Sequence, residues 1–233
     1  MKDKCTAIVL AAGKGKRMET IVPKQFLLLD GNPLLYYSLK VFEDSFIDDI
    51  VIVASEDYRD FIETDIVWKY GITKVRCITE GGRERYDSVL SGLRAADCDY
   101  AFIHDGARPF IDAGILKRAY ETVKSYGSAI VAMPVKDTIK TVDEKGVAVD
   151  TPDRSRLWQM QTPQVFRYKE IREAYETMIS FVGDSPVGNR ITDDAMVMER
   201  FGTLPVHVCE GSYRNIKVTT PEDMLIAKAL VKG

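Results

Sequence analysis

The sequence alternates short apolar runs with longer amphipathic segments over its first 134 residues. The apolar runs are rich in β-branched residues and cover residues 6–10, 50–54, 75–79, 100–104 and 129–134. Between them, segments with helical spacing of apolar residues cover 34–43, 57–70, 85–96 and 113–125. This alternation is typical of βαβ units, and strands that are apolar along their whole length are expected when helices cover both faces. The sequence therefore predicts a Rossmann-like α/β fold with a mostly parallel sheet flanked by helices on both faces.

The alternation stops after residue 134. Residues 136–150 have the pattern of a β-hairpin with its turn at residues 144–146, and residues 147–151 form the predicted return strand. An uncovered ribbon of about 20 residues usually packs on a partner or carries function. We therefore predict that residues 136–156 protrude as an arm that mediates dimerisation. Further predicted elements are helices at 168–180, 192–201 and 221–231, strands at 205–209 and 216–218, and a loop at 183–190.

Length and composition favour one ordinary globular domain. A chain of 233 residues suits a single domain over residues 1–233. Its net charge of -3 gives no reason to expect nucleic acid or a membrane surface as a partner. No stretch approaches the roughly 20 apolar residues that span a bilayer, and the start lacks a secretory pattern. With four widely spaced cysteines that suggest reduced thiols, we expect a cytoplasmic protein.

A basic, glycine-containing stretch follows the first predicted strand. Residues 10–18 read LAAGKGKRM, and residues 23–25 read PKQ. Two glycines after a strand let backbone N–H groups approach a phosphate closely. The third glycine of a dinucleotide fingerprint and the Gly-Lys-Ser/Thr ending of a P-loop are both missing. Four nearby cations, Lys14, Lys16, Arg17 and Lys24, favour a triphosphate ligand, with a solvated basic loop as the alternative.

Further short motifs occur in a fixed order along the rest of the chain. They are GGRER at 81–85, DSV at 87–89, HDGARP at 104–109, DT at 137–138, LW at 157–158, QTPQ at 161–164, TDDA at 192–195 and NIKVT at 215–219. Together with residues 10–18 and 23–25, they resemble the 2-C-methyl-D-erythritol 4-phosphate cytidylyltransferase family of the non-mevalonate isoprenoid pathway. The resemblance covers essentially the whole chain. One departure is Gly106, where the family usually has alanine.

The resemblance implies a reaction between CTP and a polyol phosphate, methylerythritol phosphate, that gives a cytidine diphosphate alcohol and pyrophosphate. It also implies Mg²⁺ as cofactor and a homodimer with exchanged arms. Elementary chemistry agrees with this reaction, because a phosphate monoester has a second pKa near 6 and is already a nucleophile at neutral pH. Such an enzyme needs cations to offset repulsion between two anions and to stabilise charge at the α-phosphate.

Five residues acquire roles in the reaction from the resemblance. Arg17 and Lys24 are implied to stabilise the transition state at the α-phosphate. Arg154 and Lys217 are implied to hold the phosphate of the acceptor. Thr138, at the root of the arm, is implied to contact the acceptor from the neighbouring subunit, and Arg154 reaches the site in the same way. Without the resemblance, Arg154 would be interpreted as a surface charge. For Arg17, the structural alternative is a salt bridge that covers the loop.

Other residues are implied to hold the nucleotide. They are Ala11, Ala12, Gly13, Lys14, Gly15, Gly82, Ser88 and Asp105. With this assignment, backbone groups at 11–13 are expected to face the cytosine, and Gly82 and Ser88 are expected to close a pocket that is too small for a purine. A structural alternative for Ser88 is a residue at the entry of a helix.

Asp105 follows a predicted buried strand, where a lone carboxylate is costly unless a cation pairs with it. The resemblance implies that Asp105 lies by the ribose, the acceptor and the magnesium, with Arg108 as a further acceptor-binding residue. Alternatively, Asp105 and Arg108 form a structural ion pair. Mg²⁺ is expected mainly on the CTP phosphates, because it keeps its waters and takes few protein ligands.

The sequence gives no reason to assign a catalytic or metal-binding role to several polar residues. His104 and His207 are predicted to be packed strand residues without metal partners. Asp193 and Asp194 are explained by N-capping and the dipole of the helix that they precede, and lie outside the predicted site.

Ribitol-5-phosphate cytidylyltransferase is the nearest rival, and DTIK at 137–140 with LW at 157–158 argues against it. A non-catalytic nucleotide-binding protein is the alternative from another class.

Overall fold

The computed structural model describes residues 2–13, 18, 22–182 and 191–232. Its strands, numbered β1 to β11 in chain order, are Cys5–Leu10, Leu28–Leu29, Asn32–Pro33, Asp49–Ala54, Val75–Glu80, Tyr100–Asp105, Ser128–Pro134, Thr141–Val142, Ala148–Asp150, Trp158–Arg167 and Val208–Glu210. Its α-helices, numbered α1 to α7, are Leu34–Glu43, Arg59–Phe61, Arg85–Ala95, Ala113–Tyr126, Tyr168–Val182, Asp194–Phe201 and Pro221–Lys232.

One large sheet organises the described part of the chain. Its seven strands run in the order β11-β7-β10-β6-β1-β4-β5. All neighbours are parallel except β10, which is antiparallel to both β6 and β7. From β1 the chain moves to β4 and β5 on one side, whereas β6 lies on the other. Ligands of α/β proteins bind at such a reversal of strand order, outside the carboxyl ends of the strands.

Two apolar layers cover the sheet. On one face, α1 and α4 pack against β1 through residues such as Leu39 and Leu116, next to Ala7 and Val9. On the other face, α3, α5 and α6 pack against Ile8. Neighbouring residues of β1 enter opposite layers because side chains alternate along a strand. The structure confirms the predicted mostly parallel sheet with helices on both faces.

Strand β10 was not predicted. It runs over ten residues, and its middle contains Pro163, a residue that argues against a central strand because it cannot donate to the ladder. The pairing of β10 with β7 shifts between Met160 and Gln164, so the proline lies at an irregularity. Because proline is rare in central strands, residue propensities alone do not predict β10.

Three other predictions need correction. Residues 57–70 do not form one α-helix: a 3₁₀ turn at Glu56–Tyr58, the short α2 and a π-helix at Ile62–Trp68 follow one another. The Thr64 hydroxyl donates to the carbonyl of Asp60, which competes with regular helical bonding. Residues 216–218 are not a strand; Val218 makes one backbone bond, to the carbonyl of Ala107. The strand predicted at 205–209 begins only at residue 208.

The predicted arm is present as a separate hairpin of β8 and β9. Residues 136–151 are all exposed, including Ile139, Val142, Val147 and Val149. The turn is stabilised by the Asp143 carboxylate, which accepts from two backbone N–H groups beyond it. The predicted hairpin is therefore confirmed, whereas its role as a dimerisation arm stays a prediction. In the part of the chain that the structure describes, every helix is too short or too polar to cross a bilayer.

Candidate active site

A cavity of about 780 Å³ opens at the carboxyl ends of β1 and β6. Leu10 and Asp105, the last residues of these strands, lie directly opposite each other. The cavity therefore occupies the place that the strand order predicts. Its lining comprises Leu10, Ala12, Gly13, Lys24, Gln25, Gly82, Arg83, Glu84, Arg85, Ser88, Asp105, Ala107 and Lys217.

The first wall is the backbone that leaves β1. Ala11 is buried and donates its N–H to the carbonyl of Val53, which extends the strand by one bond. The side-chain amide of Gln25 donates to the carbonyls of Ala11 and Gly13, at 2.5 and 3.1 Å. Gln25 belongs to a 3₁₀ turn at Lys24–Phe26, so the turn that presents Lys24 also fixes residues 11–13. Sequence reasoning gave Gln25 no role, although it lies in the PKQ motif.

The opposite wall is the turn before α3. Ser88 is buried, and its hydroxyl accepts from the N–H of Gly82 at 3.1 Å and donates to the carbonyl of Glu84 at 3.2 Å. Glu84 and Asp87 form a reciprocal capping box at the start of the helix. The helix-entry and pocket interpretations of Ser88 are therefore compatible, because one hydroxyl shapes both the turn and the cavity wall.

The floor of the cavity is centred on Asp105, whose side chain is only 11% exposed. Lys217 Nζ lies 2.7 Å from Oδ2, Arg85 Nε lies 3.6 Å from Oδ1, and Arg108 Nε lies 4.0 Å from Oδ2. Burial by itself raises the pKa of this carboxyl, but the charges of Arg85, Lys217 and Arg108 outweigh it and hold the pKa well below its usual range. Asp105 is therefore a carboxylate at neutral pH, and the cluster keeps excess positive charge.

A hydrogen-bonded chain beneath the floor fixes the protonation state of His104. Its Nε2 lies 3.2 Å from the carbonyl oxygen of Arg108, which can only accept, so Nε2 carries the hydrogen. Nδ1 then accepts from the Thr162 hydroxyl at 3.0 Å, and the hydroxyl oxygen accepts from the N–H of Asp105 at 3.1 Å. Burial lowers the pKa of His104 to about 4. The predicted packing of His104 in the strand is confirmed. The neutral ring binds the carbonyl of Arg108 directly and, through the Thr162 hydroxyl, is linked to the N–H of Asp105.

Arg85 and Asp194 form a pair that the sequence did not reveal. Nη1 and Nη2 of Arg85 donate to the two carboxylate oxygens of Asp194 at 2.7 and 2.8 Å, and the Tyr175 hydroxyl donates to Oδ1 at 2.5 Å. Asp193 does cap α6, since its side chain accepts from the N–H of Met196. Capping does not account for Asp194, which is fully buried and binds Arg85, a residue of the cavity lining. The paired residues are 109 positions apart, so local spacing carries no signal of the contact.

Arg108 lies behind the floor. Nη1 donates to the carbonyl of Asn215 at 2.8 Å, and Nη2 contacts the carbonyl of Met160 at 3.4 Å. Arg108 Nε and Asn215 Oδ1 are buried with no hydrogen-bond partner among the described residues. The contact of 4.0 Å with Asp105 is long, so the structural ion pair considered from the sequence is weak compared with that of Lys217.

The remaining predicted residues lie away from this cavity or outside the described residues. Arg154 is exposed in a 3₁₀ turn at the root of the arm, where it donates to the carbonyl of Lys136 at 2.8 Å, and Thr138 is exposed nearby. Neither Arg154 nor Thr138 is among the described residues that line the cavity. Lys14, Gly15 and Arg17 fall outside the residues that the structure describes. The predicted packing of His207 is partly confirmed, since its ring stacks on Tyr126 just before β11.

Comparison with known proteins agrees with this architecture. The model of the IspD family, 2-C-methyl-D-erythritol 4-phosphate cytidylyltransferase, matches residues 5–233. Proteins of that name from Lachnoclostridium phytofermentans and Geotalea uraniireducens are 44% and 48% identical, over 99% and 98% of this chain and 97% of each relative. The crystal structure of 4-diphosphocytidyl-2C-methyl-D-erythritol synthase from Anaerococcus prevotii has a TM-score of 0.85 at 31% identity, covering 99% of this chain and 97% of the other. The chain belongs to the 2-C-methyl-D-erythritol 4-phosphate cytidylyltransferase family.

Proposed function

We propose that this protein transfers CMP from CTP to 2-C-methyl-D-erythritol 4-phosphate and releases pyrophosphate, as a step of non-mevalonate isoprenoid precursor synthesis. The observation that carries the proposal is the convergence of Lys24, Lys217 and Asp105 on one cavity at the carboxyl ends of β1 and β6, in a member of this family. We also propose the cytoplasm as its compartment, without a nucleic-acid or membrane partner. Four free cysteines are compatible with a reducing compartment.

The two walls of the cavity suit a pyrimidine nucleotide. Ala12 and Gly13 present small side chains and backbone on one side, and Gly82 and Ser88 close the other. Gln25 and Ser88 hold these backbone segments by hydrogen bonds, so the walls are built before a ligand arrives. A base read largely by fixed backbone groups is the arrangement that we propose for cytosine.

The proposed chemistry needs no general base. A phosphate oxygen of the acceptor attacks the α-phosphorus of CTP, a new P–O bond forms, and the bond to the bridging oxygen of the β-phosphate breaks as pyrophosphate leaves. Lys24 stabilises the charge that develops on the α-phosphate, and Lys217 holds the acceptor phosphate for attack. Arg17, outside the described residues, is assigned to the α-phosphate on the family resemblance alone.

Magnesium is proposed as the cofactor. No set of three His, Cys, Asp or Glu side chains among the described residues forms a metal site by itself. Mg²⁺ commonly takes only one or two carboxylates and fills its remaining positions with phosphate oxygens and water. Asp105 is a carboxylate on the cavity floor, so it fits a single protein ligand beside the CTP phosphates. When bound, the ion neutralises phosphate charge and orients the triphosphate.

We propose that the arm acts in a homodimer. Its exposed apolar side chains, such as Val142 and Val149, are a surface that a second copy can cover. Arg154 and Thr138 lie at the root of the arm, and neither is among the described residues that line the cavity of the same chain. In a dimer with exchanged arms, they would complete the acceptor side of the partner's cavity.

The test is pyrophosphate release from CTP with each candidate acceptor in turn. We expect rapid release with methylerythritol phosphate and formation of the cytidine diphosphate alcohol in equal amount. Faster release with ribitol 5-phosphate would assign the chain to the rival acceptor. CTP binding without pyrophosphate release from any acceptor would favour a nucleotide-binding protein that is not an enzyme.

A further inference from the structure

Arg85 joins the cavity floor to the helices behind it. Its side chain lines the cavity and is 28% exposed. Nη1 and Nη2 bind the carboxylate of Asp194 on α6, while Nε lies 3.6 Å from Oδ1 of Asp105 on β6. One guanidinium group therefore contacts two carboxylates that arrive from different elements of the fold.

The orientation of this guanidinium is fixed from behind. Asp194 is fully buried, and its Oδ1 accepts from both Arg85 and the Tyr175 hydroxyl. Burial and the adjacent Asp194 carboxylate raise the pKa of Tyr175, so its hydroxyl keeps the proton that it donates. A forked pair between an arginine and a carboxylate holds both groups in one plane. Arg85 Nε is thereby held 3.6 Å from Oδ1 of Asp105, an ion-pair contact.

Asp105 in turn places the ammonium group of Lys217. Oδ1 of Asp105 faces Arg85, and Oδ2 lies 2.7 Å from Lys217 Nζ, so each oxygen has a nearest cation of its own. Rotation of the carboxylate would move the ammonium group with it. Asp105 is also the carboxylate proposed to lie beside the CTP phosphates, so a change in its orientation alters the nucleotide side of the cavity as well as the position of Lys217.

We propose that Arg85, held by Asp194 and Tyr175, is a positioning residue that sets the orientation of Asp105 for nucleotide binding, an assignment that depends on the proposed use of CTP. Simple attraction is the competing explanation, since Arg85 is a cation beside an anion site. The two explanations predict opposite effects when Asp194 loses its charge. If simple attraction dominates, CTP binds more tightly. If positioning dominates, the guanidinium loses one arm of its fork and its fixed orientation beside Asp105, and CTP binds more weakly.

The test measures the equilibrium dissociation constant of CTP by calorimetric titration of the full chain. We expect Asp194→Asn to raise this constant about 10- to 100-fold, as a misplaced binding group does. Tyr175→Phe leaves every charge in place and should raise it about fivefold, the effect of one hydrogen bond. Glu176→Gln is the matched control, because it removes one negative charge from an exposed pair with Arg172 on α5. The control should bind CTP as the wild type does.

A loss of folded protein lowers the number of binding sites in the titration but leaves the dissociation constant unchanged. The inference is overturned if Asp194→Asn folds and binds CTP as tightly as the wild type or more tightly. If Asp194→Asn does not fold, an unchanged constant in Tyr175→Phe overturns it. Failure of the proposed function shows separately, as a wild-type chain that binds CTP but releases no pyrophosphate. A wild-type chain that binds no CTP overturns both.

Discussion

The cavity floor and the arm are two charged regions of the same chain with opposite construction. On the floor, Asp105 is 11% exposed and is fixed by side chains from α3, from the segment before α7 and, at its backbone N–H, from β10. In the arm, residues 136–151 are exposed, and the hydrogen bonds of the turn stay within residues 143–147. A preorganised floor can place charges by itself, whereas an arm of this kind acquires a fixed geometry only against a partner.

Removing a buried charge should produce the largest effect on the floor. We expect Asp194→Ala to lower the free energy of unfolding by about 3 to 5 kcal/mol, because it leaves the forked Arg85 without its main partner and Tyr175 without its acceptor. Urea unfolding monitored by circular dichroism measures the change, provided that the denaturant slope stays constant. A loss under 1 kcal/mol would mean that the buried pair contributes little to the floor.

Removing a cavity cation should affect turnover more than stability. Lys24→Ala is expected to lower kcat about 10²- to 10³-fold, as the loss of one preorganised donor at a developing charge does. The dissociation constant of CTP should change far less, because the interaction strengthens only in the transition state. Single-turnover kinetics and calorimetric titration measure the two quantities. Near-normal turnover would remove Lys24 from the mechanism.

Acid should weaken the floor through His104. Burial lowers the pKa of this ring to about 4 in the folded state, below the value near 6.5 of an exposed histidine. Between these two pKa values, the His104 ring is therefore protonated in the unfolded chain and neutral in the folded chain. The contribution of the neutral His104 ring to the free energy of unfolding is complete above pH 6.5 and is lost as the pH falls toward 4. Between pH 7.5 and 5 we expect a loss of about 2 kcal/mol.

The matched variant for the pH dependence is His104→Gln. A glutamine amide offers both a donor and an acceptor but does not titrate in this range, so the decline between pH 7.5 and 5 should become shallower by that amount. Urea unfolding at the two pH values measures it. An equally steep decline in the variant would mean that other groups cause the acid sensitivity.

The smallest effect on stability is expected in the arm. Arg154→Ala removes an exposed side chain whose hydrogen bond is to the carbonyl of Lys136, so the free energy of unfolding should change by no more than about 0.5 kcal/mol. If Arg154 serves the partner's site, pyrophosphate release should nevertheless fall. A large loss of stability in this variant would contradict the description of the arm as a region without internal support.

The sequence revealed the parts of the site that are local. The glycine stretch after β1, the PKQ turn and the carboxylate at the end of β6 could each be assigned from spacing and from the resemblance. Contacts between distant residues could not, because the pairing of Arg85 with Asp194 exists only once α3 and α6 lie on the same face of the sheet. Strand β10 was hidden for a related reason: Pro163 lies at a shift of register that only the paired strands define.

A single reaction is expected to use the cavity of one chain and the arm of another. Subunit complementation between Lys24→Ala and Arg154→Ala tests it. In a mixed dimer, one site receives both defects and the other receives neither. We predict that each variant alone is nearly inactive and that an equal mixture after subunit exchange recovers about a quarter of the wild-type rate. A mixture no more active than the average of the two variants would contradict the claim.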